Sequence, residues 1–495
     1  MRLSELSRGI PGVRVEGIGD PELSAIIQDS REACPGCLFA AVPGSRNDGA
    51  AYAVEAVVRG AVALMLSRPL EDIHDIPCLI VPDARKALGE AADIFYRRPS
   101  GELDLVGVTG TNGKTTSAYL LRHLFNLAGR RCGMLGTIEY DLGGRREPAP
   151  LTTPDAVRFA ASLAEMRDAG CQAAAIEASS HALSQYRVWP HRFAAAVFTN
   201  LTRDHLDYHG DMERYLKAKR LIFSRLDNKA SAVFNLRDQA SRRLAEDCRA
   251  RRLGYLLVSG GMDAKDAENG FSGDIFLARP LESGLNGQTF DVAGPGLSRR
   301  FRTPLIGRHN AENCLGAVLA AHALGVPDEV LAAGLAGFPG VPGRLERIQA
   351  ESGALAFVDY AHTDDALRSV LSVLRPLVEG RLITVFGCGG GRDRGKRPLM
   401  AKAAAEFSDQ VVVTSDNPRM ENPEAIIREI MAGFSRLDQV VVETDRERAI
   451  MLAAGRAEPG DAILVAGKGH EDYQIIGMEK RHMDDRELVR TAFRS

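Results

Sequence analysis

Hydrophobic positions are spread along this chain in three ways. Over the first hundred or so residues they form short strand-like runs, Cys37–Val42 and Ala61–Leu66, broken by Pro and Gly, which predict a small α/β module. The polar segment Arg97–Asp104 then reads as a linker. From Leu103 the pattern changes. Leu105–Thr109 is an apolar run ending at a glycine-rich loop, Ser117–Ala128 predicts a helix, and Ala173–Ile176 and Ala194–Thr199 are apolar without polar alternation. Such runs suit parallel strands covered on both faces. A Gly/Pro-rich junction, Gly337–Glu346, closes this block and holds the candidate hinge Gly337–Gly343. Beyond it, Ala354–Asp359, Leu382–Phe386, Gln410–Thr414 and Ala462–Ala466 predict strands separated by helices.

Repeated βα units in both larger blocks predict doubly wound sheets, with ligands at the carboxyl ends of the strands. The expected fold is α/β in three domains: residues 1–100, a central P-loop ATPase-like doubly wound sheet over 101–340, and a Rossmann-like domain over 341–495. A chain of 495 residues is long enough for about three cores. Its net charge of −3 gives no electrostatic case for nucleic acid or an anionic membrane as partner. No apolar run is long enough to span a bilayer, and the N-terminal sequence lacks the features of a signal peptide, so a cytoplasmic protein is expected. Eight Cys are scattered over the length and form no disulfide framework. Cys34 and Cys37 make a CxxC with neither a second ligand pair nor a thioredoxin-like context, and they read as a coincidental pair around a Pro-Gly turn.

The segment Gly110-Thr111-Asn112-Gly113-Lys114-Thr115-Thr116 follows a predicted strand and precedes a predicted helix, the context of a P-loop. Backbone N–H groups and the helix N-terminus would face phosphate there. Lys114 would reach the β- and γ-phosphates of ATP, and Thr115 would place its hydroxyl on Mg²⁺. Val108 stands where the usual first glycine would be. A P-loop alone leaves phosphoryl transfer, motor activity and ligation open.

Further stretches narrow the choice. In order they are Leu151-Thr-Thr-Pro154, Glu177-Ala-Ser-Ser-His-Ala-Leu183 with Gln185 and Arg187, Phe198-Thr-Asn-Leu201, Asp204-His-Leu-Asp-Tyr-His-Gly210, and Tyr215 with Ala218-Lys219. Asp359-Tyr-Ala-His-Thr363, Phe386-Gly-Cys-Gly-Gly390, Asp416-Asn-Pro-Arg419 and Gly467-Lys-Gly-His-Glu471 follow. Over nearly its whole length the chain thus resembles the Mur ligase family. The resemblance implies an enzyme that binds a UDP end in its first domain, ATP in the second and an incoming amino acid in the third. It also implies that a substrate carboxylate becomes an acyl phosphate before the amino group displaces phosphate.

The resemblance assigns roles residue by residue. Lys114, Glu177, His205 and Lys219 are the catalytic set; Thr115, Glu177 and His205 form the Mg²⁺ site, and Lys219 carries a carbamate. A lysine of lowered pKa is neutral enough to take up CO₂. Asn310, Arg344, Asp359 and His362 join the P-loop residues around ATP. Ser30, Ser45, Arg46, Asn47, Thr152, Thr153, Ser179, Gln185 and Arg187 hold UDP-N-acetylmuramoyl-L-alanyl-D-glutamate. Arg392, Asp416, Asn417, Pro418, Arg419, Gly467 and Glu471 surround the incoming amino acid. That amino acid is expected to be meso-2,6-diaminopimelate, because Arg419 would grip a second carboxylate that lysine lacks. Two positions depart from the family pattern: Asp364 replaces a common Pro, and Gly391 replaces an acid before Arg392. A lysine-adding or folylpolyglutamate-type ligase is the alternative, and a monomer is expected. A nucleotide-binding regulatory protein without catalysis is disfavoured by the joint presence of Lys114, Glu177, His205 and Lys219.

Overall fold

The computed structural model describes residues 1–44, 48–71, 73, 75–258, 270–351 and 353–494. They form two compact units, one of Met1–Pro280, Phe290–Phe301 and Glu312–Ala336, the other of Leu281–Thr289, Arg302–Ala311 and Gly337–Ser495.

The first unit contains a five-stranded sheet near the N-terminus. Its order is Arg14–Glu16, Cys78–Ile80, Ala61–Leu66, Cys37–Ala40 and Ala25–Ile27, parallel except for the antiparallel first strand. The larger sheet of this unit is built around six parallel strands. They lie in the order Arg251–Leu257, Ser231–Asn235, Ala195–Phe198, Asp104–Thr109, Ala173–Glu177 and Cys132–Leu135. Glu139–Asp141 and Arg146–Pro148 extend it as antiparallel strands. The unbroken apolar runs are explained by cover on both faces. On one face Leu105, Ile176 and Phe198 pack in a cluster with Phe159 and Leu163 of the helix Ala156–Asp168 and Phe223 of the helix Met212–Phe223. Over the other lies the helix Lys114–Leu127, with Leu120, Leu121 and Leu124 fully buried.

Asp104–Thr109 is the point where the chain switches sides. Ala173–Glu177 pairs with one of its edges and Ala195–Phe198 with the other. A crevice opens above the carboxyl end of a strand at such a point, and the Gly110–Thr116 loop begins there.

The second unit is a six-stranded sheet. Glu346–Gln349 is antiparallel at one edge, followed by the parallel strands Leu355–Asp359, Ala462–Ala466, Leu382–Phe386, Gln410–Val413 and Val440–Val442. Clusters on both faces, around Leu371, Met400 and Ile430 on one side and Ile450, Ala453 and Val489 on the other, make it doubly wound. Three expected strands, Ala61–Leu66, Leu382–Phe386 and Ala462–Ala466, have the expected bounds. The P-loop helix starts three residues earlier than its apolar periodicity suggested, because Lys114–Thr116 form its first turn.

One buried ion pair ties the second unit together across sequence. Arg446 and Asp485, whose side chains are both inaccessible to solvent, meet through Nε–Oδ1 and Nη2–Oδ2 contacts of 2.7 Å each. Arg446 also donates to the Ala466 and Ser415 carbonyls at 3.0 and 3.3 Å, bracing two strand ends that carry candidate site residues. Removing one partner strands a buried charge. Arg446→Met should therefore lower unfolding free energy by about 3–5 kcal/mol, and adding Asp485→Leu should restore part of it. Denaturant unfolding of both variants checks this; a double variant no better than the single one contradicts it.

Candidate active site

The P-loop is shaped by close approach. Gly113 has φ +86°, and a Cβ there would strike Asn313 Oδ1. Asn112 N donates to Asn200 Oδ1 at 2.9 Å, and Thr199 Oγ1 donates to the Asn112 carbonyl at 2.6 Å. Thr111 Oγ1 lies 3.2 Å from Tyr215 OH. Thr115 and Thr116 are buried in the first helical turn.

Two lysines converge on one loop carbonyl. Lys114 Nζ donates to Gly110 O at 3.0 Å and to Thr111 O at 2.8 Å, and Lys219 Nζ donates to Gly110 O at 2.8 Å. Lys219 is 1% exposed, and its Nζ sits 4.3 Å from the Tyr215 ring centroid. Burial, reinforced by the Lys114 charge, holds the Lys219 pKa well below the ordinary lysine range.

Beside the loop, Glu177 ends its strand fully buried. Its carboxylate accepts from Thr115 Oγ1 at 3.0 Å and from Thr137 N and Oγ1 at 2.9 and 3.0 Å. Thr137 Oγ1 lies 3.2 Å from Thr152 Oγ1. Thr153 Oγ1 donates to the Glu177 carbonyl at 2.6 Å and accepts from Ser179 N at 3.1 Å, while Ser179 Oγ caps the next helix through Ala182 N. Arg187 donates to Thr153 O at 2.9 Å and to Gln185 Oε1, and Gln185 Nε2 donates to Tyr208 OH at 3.0 Å. The structure thus joins Thr115, Glu177, Thr152, Thr153, Ser179, Gln185 and Arg187 in one hydrogen-bonded chain.

His205 lies differently. It has φ +52°, its Nε2 is 3.3 Å from Asp204 Oδ2, and its ring meets that of His181 edge-on at 4.9 Å. No three His, Cys, Asp or Glu side chains group as a metal site among the described residues. Burial, then the neighbouring His205 and His209, pushes the His181 pKa down to about 4. Ser30 stands in the N-terminal sheet region, its hydroxyl donating to Glu55 Oε2 at 2.9 Å. Ser45, Arg46 and Asn47 fall outside the described residues.

In the second unit the candidate residues gather at the strand ends. Asn417 is buried and cross-braced: its Nδ2 donates to Glu471 Oε2 at 2.9 Å, and its Oδ1 accepts from Ile475 N at 2.9 Å and Lys468 Nζ at 3.3 Å. Lys468 Nζ also lies 3.3 Å from Glu471 Oε2. Gly467 leaves so little room that a Cβ would come within 2.6 Å of Asp416 Oδ2. Arg419 follows buried Pro418 with φ +52°, a left-handed conformation that costs a residue bearing Cβ about 1–2 kcal/mol. It is held there by Arg419 N to Ile475 O at 3.0 Å and Gly477 N to Arg419 O at 2.7 Å, while Nη1 donates to Gly390 O at 2.8 Å. Arg392 is exposed, with its stem near Gly389.

A second group surrounds Asp359, whose carboxylate accepts from Leu345 N at 2.7 Å and Ala361 N at 2.8 Å. Burial raises its pKa, and the Arg344 charge opposes the rise. Arg344 Cζ stands 5.0 Å from the Tyr360 ring centroid, and the His470 ring lies 5.0 Å from the same ring. His362 is exposed and Nδ1 is 2.9 Å from Tyr360 O. Asn310 Nδ2 donates to Ile306 O at 2.9 Å.

Lys468 and Thr137 received no role from the sequence, although Lys468 lies inside a motif and Thr137 one residue past the Gly that follows a strand. A lysine between two glycines at the end of an apolar strand was the available signal for Lys468. Tyr208, which joins Gln185, also lay within a motif without a role.

A phosphate-binding loop at a sheet switch point, with a buried lysine and a buried carboxylate beside it, defines a nucleotide-using α/β enzyme. The chain matches the Mur ligase middle domain over residues 108–321 and the Mur ligase glutamate ligase domain over 343–469. It is 45% identical, over 96% of its length and 93% of the relative's, to the UDP-N-acetylmuramoyl-L-alanyl-D-glutamate--2,6-diaminopimelate ligase of Thermosynechococcus vestitus. The enzyme of the same name from Geobacter sulfurreducens is 43% identical over 100% of this chain and 99% of its own. A solved structure of a ligase of that name superposes with TM-score 0.71 at 34% identity, covering 95% of each chain. A Mycobacterium tuberculosis folylpolyglutamate synthase shares the fold, with TM-score 0.58 at 20% identity over 77% of this chain and 92% of that one. The chain belongs to the Mur ligase family.

The His470 environment predicts a pH dependence. Burial first, then the Arg344 and Arg486 charges, lowers its pKa from 6.5 to about 4. The unfolded chain therefore takes up this proton first, so stability is whole above pH 6.5 and falls as pH drops toward 4. His470→Gln should flatten that part of the stability-versus-pH curve, measured as wild type minus variant; parallel curves would refute the assignment.

Proposed function

We propose that this chain uses ATP to join meso-2,6-diaminopimelate to UDP-N-acetylmuramoyl-L-alanyl-D-glutamate; the names of its relatives make them ligases of that UDP-linked dipeptide and 2,6-diaminopimelate. The observation that carries the choice of amino acid is Arg419, fixed in a left-handed conformation by backbone bonds on both sides, in the same loop as Asn417, which Glu471 braces. A guanidinium there suits the second carboxylate of diaminopimelate, and Glu471 suits its distal ammonium. Lysine would leave the guanidinium without that partner, which disfavours the lysine-adding alternative.

The reaction has two steps. A carboxylate oxygen of the UDP-linked substrate attacks the γ-phosphorus of ATP, the bond to ADP breaks, and an acyl phosphate forms. The amine of the incoming residue then attacks the acyl carbon, loses a proton and displaces inorganic phosphate. Lys114 holds the phosphoryl oxygens as their charge redistributes. Thr152, Thr153, Ser179, Gln185 and Arg187 orient the acceptor. Asn310, Arg344, Asp359 and His362 serve the nucleotide, and Arg392, Asp416, Pro418 and Gly467 complete the amino-acid pocket.

The buried Glu177 carboxylate and the Thr115 hydroxyl 3.0 Å from it are oxygen donors of the kind Mg²⁺ prefers. They fit the ion, with His205 as the third assigned group. When bound, Mg²⁺ would offset negative charge on the phosphate oxygens. Residues 1–100, with Ser30, Ser45, Arg46 and Asn47, take the UDP end, 101–340 take ATP, and 341–495 take the amino acid. No helix of the described residues is long and apolar enough to cross a membrane; action in the cytoplasm, as a monomer without nucleic acid or membrane partners, belongs to the same proposal.

Lys219 works as a carbamate. Its buried amine, whose pKa desolvation lowers, adds in its neutral form to CO₂ with loss of one proton, placing an anion beside Lys114. Lys219→Ala should be nearly inactive and should regain some turnover with added short carboxylic acids. An active enzyme whose intact mass shows no added CO₂ even in bicarbonate buffer would sink this assignment.

Substrate choice is tested by Arg419→Ala. Its kcat/KM for diaminopimelate should fall by the equivalent of about 2–5 kcal/mol, with a smaller change for lysine. A ratio of the two kcat/KM values unmoved by the substitution, or a wild-type enzyme preferring lysine, would overturn the choice of amino acid and leave the ligase reading standing.

A further inference from the structure

The fold gives Cys34 and Cys37 a geometry that their CxxC spacing alone does not show. Cys34-Pro35-Gly36-Cys37 is a tight turn closed by Cys37 N to Cys34 O at 3.1 Å, with Pro35 at its second position and Gly36 at its third with φ +85°. That is the signature of a type II turn, whose first and fourth Cα atoms lie within about 7 Å. A disulfide spans Cα separations of about 4.4–6.8 Å.

The turn is fixed in place from outside. Ser24 N donates to Gly36 O at 2.9 Å, Ser24 Oγ to Pro35 O at 2.9 Å, and Gly36 N to Gly60 O at 3.1 Å. Exposure divides the roles: Cys34 is partly open to solvent and Cys37 is fully buried at the start of its strand. The other six cysteines are all buried.

We propose that Cys34 and Cys37 form a reversible dithiol–disulfide site that exchanges with low-molecular-weight disulfides. The Cys34 thiolate attacks one sulfur of the small disulfide and releases one small thiol, leaving a mixed disulfide. Cys37, as thiolate, then attacks the Cys34 sulfur and releases the second small thiol. Two protein thiols are oxidised to one disulfide, one small disulfide is reduced to two thiols, and the two thiol protons pass to the departing thiolates. The closed ring ties the Ser30–Glu32 turn, whose Ser30 carbonyl accepts from Ala33 N at 3.2 Å, to the strand Cys37–Ala40.

The test uses the full-length protein incubated with oxidised glutathione at mildly alkaline pH, then alkylated and mapped by peptide mass. The peptide carrying both residues is expected to lose the mass of two hydrogens, to escape alkylation, and to regain both thiols after dithiothreitol. In Cys34→Ser, Cys37 is expected to stay free and unmodified. The proposal is overturned by two alkylated thiols in treated wild type, by a glutathione adduct that persists on Cys34, or by glutathione on Cys37 of the variant.

Discussion

Two lysine side chains share one carbonyl oxygen at the heart of this enzyme. Lys114 and Lys219 both donate to Gly110 O, at 3.0 and 2.8 Å, and Lys219 does so from a site almost closed to solvent. Two ammonium groups so close repel, and burying one without a counter-ion is unfavourable by several kcal/mol. The arrangement is tolerable when the buried amine gives up its proton. The lowered pKa of Lys219 therefore follows from packing: Tyr215 and the loop exclude water, and exclusion disfavours the charged amine. Much of the surrounding framework holds Gly110 where both lysines can reach it, through Thr111 on Tyr215 and Thr199 on Asn112.

The second unit solves the opposite problem, giving its buried charged side chains partners of opposite sign. Lys468 sits between Asn417 and Glu471, and Arg446 faces Asp485. Arg397, fully buried, meets both Glu421 and Glu429 at 3.0 and 2.8 Å. Each pair braces side chains near the carboxyl ends of the strands.

How far the sequence revealed this differs between elements. Strands such as Leu382–Phe386 and Ala462–Ala466 were legible because burial on both faces leaves an uninterrupted apolar run. The three-residue strands Arg14–Glu16, Ala25–Ile27 and Cys78–Ile80 were not, since three residues carry no measurable period. The P-loop helix was placed too late because Lys114, Thr115 and Thr116 are polar and serve the loop, not the core. In the site, the ordered motifs marked the strand-end loops, yet they could not say which side chains touch. The Arg446–Asp485 pair joins residues 39 positions apart, and Thr137 reaches Glu177 from 40 away. Those contacts are properties of strand order, which local pattern does not encode.

Strand order also sets the sequence of events when the chain is made. Asp104–Thr109 is the middle strand, but its partners Ala173–Glu177 and Ala195–Phe198 come later in the chain. During synthesis from the N-terminus this strongly apolar segment emerges before either partner exists. Loop closure over such separations is slow compared with forming the helix beside it. The nascent chain thus carries a hydrophobic strand open on at least one edge until Phe198 has been added, and the nucleotide loop at its tip acquires its shape only after that. The loop takes its form from chain made well after it.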